Sequence, residues 1–173
     1  MLMREIAYTV RGFLTVRRDS VRVPLNGSLA IRADLDSGLF TGDLVLSRSA
    51  VNRTVLGVSL LSATVQIIPT SPVIGMVDRD SRMVATAVVD AVITDVHAVG
   101  RPVAGGGSCH TATHAFVPLR SKPGFDLERG GRLAGRYYRP PFTGGGWITP
   151  LVNLLAVGAG NAAVFDLIPL LGA

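Results

Sequence analysis

One lysine, one cysteine and one tryptophan stand among 173 residues, and charged side chains make up only 17% of the chain. Each scarcity excludes something. A lone cysteine rules out an internal disulfide framework and the paired Cys-x-x-Cys spacings of structural zinc sites. With a single lysine, the net charge of +5 rests on sixteen arginines, and these form no run. Residues 1–53 hold eight arginines against five acids, 120–139 six basic residues against two acids, and 54–119 three arginines against four acids. Aromatic residues amount to 6% and do not interleave with the basic ones, so no stacking platform for nucleic acid is visible. The arginine excess suits phosphates or anionic lipid headgroups, which the guanidinium fork binds at two points. GC-rich codon usage, which raises alanine, glycine, valine and arginine together, accounts for it equally well.

Long apolar runs are also missing. The closest, "WITPLVNLLAVGAGNAAVFDLIPLLGA" (147–173), is interrupted by Pro150, Asn153, Asn161, Asp166 and Pro169, and reads as a core segment rather than a transmembrane span. The first residues, "MLMREIAYTVRGF", lack the apolar centre of a signal peptide because Arg4 and Glu5 break it.

What the chain does have is 48% apolar residues with 20 glycines and 10 prolines scattered along it, the composition of one domain over 1–173 built from strands and turns. Period-two alternation dominates. Ile6, Tyr8 and Val10 share a face, followed beyond Gly12 by Leu14 and Val16; a glycine inside such a run suggests a bulge. Val21, Val23 and Leu25 align, as do Leu29, Ile31, Ala33 and Leu35, then Leu44 and Leu46, then Leu61, Ala63, Val65 and Ile67. The longest alternation, 83–100, sets Met83, Ala85, Ala87, Val89, Ala91 and Ile93 on one face while the other is only half polar. Its density of β-branched residues argues against a helix. A glycine turn at 105–107 precedes strands near 110–119 and 132–139, and 162–169 reads as a closing strand. One short helix is expected near 148–157, with Thr149 as N-cap and Pro150 at its first position. Turns at short intervals make the expected fold all-β, an antiparallel sandwich or barrel.

Chemistry concentrates in "GGGSCHTATHAF" (105–116), which carries Cys109, His110 and His114. On an extended strand the two histidines share a face about 13 Å apart and Cys109 points the other way, too far apart for one zinc ion. Adjacent Cys109 and His110 likewise do not form a nucleophile–base pair on a strand. The acidic pairs Asp34/Asp36 and Asp78/Asp80 flank turns without the spaced ligands of a calcium loop. The triple glycines at 105–107 and 144–146 lack a P-loop lysine and read as turns. No catalytic, cofactor-binding or metal-binding residue emerges, and no cofactor is implied.

Four segments in order, "GSLAIRADLDSGLFTGDLVLS", "GGGSCHTATHAFVPLRS", "GFDLERGGRLAGRYYRPPF" and "GGGWITPLVNLLAVGAGN", carry a resemblance. From about Gly27 to Pro169 the chain resembles a group of exported β-rich proteins of uncharacterised function from high-GC Gram-positive (actinobacterial) bacteria. The resemblance implies a second cysteine in a Cys-Gly pair just before the helix. Here that place reads Gly144-Gly145-Gly146, so Cys109 is by implication half of a disulfide whose other half is gone.

The expectation for function is a non-enzymatic secreted or envelope-associated β protein, extracellular or in the cell envelope, with the cytoplasm as the alternative location. It would bind apolar or lipid ligands or serve as a structural or assembly module, with homo-oligomers possible. A hydrolase-type enzyme with an unrecognisable site is the alternative.

Overall fold

The computed structural model describes residues 1–16, 21–103, 108–146, 149–150, 152–153 and 158–170. Thirteen strands follow one another: β1 (Met3–Val16), β2 (Val21–Asp34), β3 (Leu39–Leu46), β4 (Ser49–Val55), β5 (Val58–Pro69), β6 (Val73–Val77), β7 (Met83–Ala98), β8 (Arg101–Pro102), β9 (Cys109–Thr111), β10 (Ala115–Ser121), β11 (Gly131–Arg139), β12 (Phe142–Thr143) and β13 (Gly158–Pro169).

All pairings are antiparallel, and eight strands close a barrel in the order β1, β2, β3, β6, β7, β10, β11, β13 and back to β1. Strand β7 organises the rest. Its first part pairs with β6 on one side and β10 on the other, and its continuation past Val89 pairs with β5 and β9. Beyond the ring, β4 pairs with β5, and the Ser49 hydroxyl donates to the Pro24 carbonyl of β2 at 2.6 Å. Closure leaves no edge on the ring itself, the usual solution to the exposed-edge problem.

The alternating faces point inward as the pattern requires. Tyr8, Val10, Ile31, Phe40, Met83, Leu133 and Phe165 are buried, and β7 contributes the small Ala85, Ala87 and Ala91 that leave room for them. Mixing large and small inward residues is how a narrow eight-stranded interior fills.

Four local expectations are corrected. Gly12 is no bulge: β1 and β2 stay in unbroken register from Met3↔Asp34 to Val16↔Val21. A Cβ at Gly12 would lie 1.8 Å from the Val164 carbonyl oxygen of β13, so glycine is there because the curled sheet brings a neighbouring backbone against it. Leu35 does not share the buried face of β2; it sits in the turn after Asp34 and is 40% exposed. The single strand expected near 110–119 is two, β9 and β10, separated by a bend at 112–113. The segment "VIGMV", absent from the expected strands, is β6; Ile74 and Met76 face outward, Val73 inward, so both faces are apolar and the period-two contrast is faint.

Within the expected helix, Thr149, Pro150, Val152 and Asn153 are helical; residues 148, 151 and 154–157 and the 105–107 turn lie outside the described residues. The N–H groups that Thr149 would cap include that of residue 151, which lies outside the described residues. The Thr149 hydroxyl oxygen accepts the Gly145 N–H at 3.0 Å, tying the 144–146 turn to the helix. Asn153 docks the helix on β12, accepting from the Phe142 N–H at 2.7 Å and donating to the Phe142 carbonyl at 3.1 Å.

Candidate functional site

The Cys109 region is packed rather than open. Cys109 lies opposite Ile93 of β7, fully buried, with its Sγ 3.8 Å from the Thr149 hydroxyl. His110 faces the other way, exposed, opposite Val92 and Thr143. The bend carries His114 away from it, so the strand-like spacing does not hold. Its Nδ1 lies 2.8 Å from Asp90 Oδ1 on β7, and His97 Nδ1 is 2.9 Å from the Asp95 carbonyl. Among the described residues no three His, Cys, Asp or Glu side chains converge on a metal position.

The Asp90–His114 pair is invisible to sequence reading because 24 residues separate its members. Thr111 also donates to Asp90 Oδ1, at 3.4 Å. Hydroxyl and imidazole therefore hang on the same carboxylate. A hydroxyl nucleophile would have to donate to the imidazole instead, so this is not a triad geometry. The acidic pairs have local work: Asp34 accepts from the Ser37 hydroxyl and the Asp36 N–H, and Asp78 from the N–H groups of Asp80 and Arg82. Those bonds hold the Asp34 carboxyl below the usual range, the Ser37 hydroxyl first.

The outer wall across β3, β6 and β7 has a different character. Cross-strand neighbours Leu39↔Met76, Met76↔Val84 and Ile74↔Thr86 set a row of outward apolar side chains beside Met3. Leu39 is 56%, Ile74 59% and Met76 42% exposed. They line a groove of about 640 Å³ with Arg32 and Asp34 at its margin. A second depression of about 520 Å³ shares Arg32, Ile74 and Thr86 and runs on to Val88 and Phe116 of β10, the latter 64% exposed. Large side chains standing side by side in solvent on a closed barrel are the unusual feature, since scattered ones are commonplace. The sequence signal was available in "VIGMV", where alternate positions on both faces are apolar.

No helix among the described residues is long and apolar enough to cross a membrane, which leaves strands unaddressed. No protein-family model, curated protein or solved structure matches the chain.

Proposed function

We propose that this protein is a non-enzymatic barrel that binds a single-chain amphipathic lipid on its outer wall, in the cell envelope or outside the cell. The observation that carries the reading is the continuous apolar groove on β3, β6 and β7, about 640 Å³ and flanked by Arg32. Its size falls in the ordinary range of small-ligand sites. Leu39, Ile74, Met76 and Val84 offer surface to an acyl chain, and methionine adapts to an irregular apolar partner better than a branched residue does. Arg32, which lines the groove together with Asp34, is a fork suited to the carboxylate or phosphate of an anionic headgroup. The groove offers an acyl chain apolar contact and a cationic side chain, but no nucleophile–base pair.

The test is titration of a dansyl-labelled medium-chain fatty acid into the wild type and into Met76→Glu. The substitution places a charge on the exposed face of β6 and leaves the core untouched. Saturable binding weakened roughly tenfold or more in the variant is expected, the effect of losing one buried apolar side chain. Equal binding by both proteins refutes the groove. A dimer that dissociates on Met76→Glu with no change in probe binding would identify the face as an assembly surface instead.

A further inference from the structure

On the far wall of the barrel, β11 carries two buried polar side chains, Tyr137 and Arg139, neither of which forms an ion pair among the described residues. Tyr137 and Arg139 occupy the buried face of the strand, 8% and 7% exposed, while Tyr138 between them is 62% exposed. The Arg139 guanidinium lies 4.7 Å from the centroid of the Phe142 ring. Among the described residues no carboxylate forms an ion pair with it. The Tyr137 hydroxyl is buried and has no hydrogen-bond partner among the described residues.

Proteins seldom bury charge unpaired or donors unsatisfied, because both lose their water for nothing. Burial pushes the Tyr137 phenol up and the nearby Arg139 charge pulls it back; burial lowers Arg139, and Tyr137 opposes that shift. Arginine keeps its proton in any protein environment. The pair therefore presents a fixed positive charge and a neutral O–H donor two residues apart on one face of β11. A cation or a donor-only ligand is repelled by that set; an oxyanion completes it. A monoanion cancels the guanidinium charge, whereas a dianion would leave a net negative charge in an apolar setting. Carboxylate is thus favoured over phosphate, and its two oxygens match the planar fork.

We infer that Arg139 and Tyr137 form an internal receptor for one carboxylate, held by guanidinium N–H groups and the phenolic O–H. Phe142 closes one side of the guanidinium. This site is separate from the outer groove, which lies on β3, β6 and β7.

The experiment is isothermal titration calorimetry of wild type, Tyr137→Phe and Arg139→Met with sodium acetate, sodium decanoate and sodium phosphate at equal ionic strength and pH 7. One equivalent of acetate is expected to bind the wild type, and one of decanoate to bind Met76→Glu, in which the outer groove no longer takes the acyl chain. Affinity should fall roughly tenfold in Tyr137→Phe, the effect of one hydrogen bond to a charged group, and vanish in Arg139→Met. Met76→Glu should leave acetate binding unchanged. Decanoate binding much more tightly than acetate would show that the carboxylate heads an acyl chain; equal affinities would show a free carboxylate. Both results support the receptor. Absence of carboxylate binding, preference for phosphate, or equal affinities in all three proteins would overturn it. If Arg139→Met does not fold, Tyr137→Phe decides alone, since it removes one oxygen atom and keeps the ring.

Discussion

Cys109 and Gly145 face each other across the junction of β9 and the helix: a Cβ on Gly145 would stand 3.2 Å from the Cys109 Cβ and 1.6 Å from its Sγ. Disulfides have Cβ atoms about 3.5–4.5 Å apart, so the glycine sits within a few tenths of an ångström of a bridging position. Gly144 and Gly146 have φ of 83° and 61°, in the left-handed region, whereas Gly145 is outside it, so its backbone conformation does not require glycine. The place that the resemblance assigns to a second cysteine is the place where one would reach.

Gly145→Cys is therefore expected to oxidise spontaneously with Cys109. The loop closed would span about 37 residues, for which the chain-entropy estimate is about 3–4 kcal/mol, less whatever strain the short approach adds. Free-thiol titration and thermal unfolding with and without reductant check this. Two free thiols under oxidising conditions would sink it. By contrast, Gly145→Ala should destabilise, because its methyl meets Sγ, and Cys109→Ala in the same chain should recover part of the loss.

Gly12→Ala should cost at least ~3 kcal/mol, a large effect for one methyl group. The added carbon would lie 1.8 Å from the Val164 carbonyl oxygen, a backbone atom that cannot rotate aside. Urea unfolding checks it; a loss under about 1 kcal/mol, the ordinary range of a point substitution, would show that β1 and β13 are not held so close.

Tyr8 gives the fold an alkaline limit. Its phenol is pushed up to about 12, by burial first and then by the Asp126 charge, and it donates to the Leu127 carbonyl at 2.5 Å. A raised folded-state pKa means that this contribution is whole below the ordinary tyrosine value of 10.0 and is lost as pH climbs toward about 12. The size is about 2–3 kcal/mol. Tyr137, also raised, adds to the same limb. Tyr8→Phe should flatten the fall in melting temperature between these pH values only in part; an unchanged slope would contradict it.

At the acid end, Arg132 Nε donates to Asp166 Oδ1 at 2.7 Å and holds that carboxyl below its usual range. A depressed pKa means stability present above the unfolded value and lost as pH falls through the folded one. Asp166→Asn should therefore lose little at pH 3 and more at pH 7. The pair is largely exposed, so the difference should shrink with added salt. A variant equally destabilised at both pH values would show that the charge plays no part.

The strand faces of β2 and β3 were legible because one side is apolar and the other is not, as in Leu29–Ile31–Ala33; in β7 the other face is half polar, and the length of the alternation Met83–Ile93 carried the reading. Closure was not. Sandwich and barrel stay equal until Ala115–Arg120 pairs with Val89–Val84, a contact no local pattern announces. Gly12 misled because a glycine forced by a neighbouring backbone looks the same in sequence as one that marks a bulge. The groove escaped notice for a related reason: its lining comes from three strands, and β6 is too short and too apolar on both faces to show a contrast. Tyr137 and Arg139 alternate with Tyr138 like any strand, and only burial separates an orphaned arginine from a solvated one.

Native mass spectrometry of the protein purified from its own cells tests lipid binding at the outer groove most directly. Wild type should carry one equivalent of an amphipathic lipid that Met76→Glu has lost. Bare wild-type protein, or the same adduct on both proteins, would contradict it.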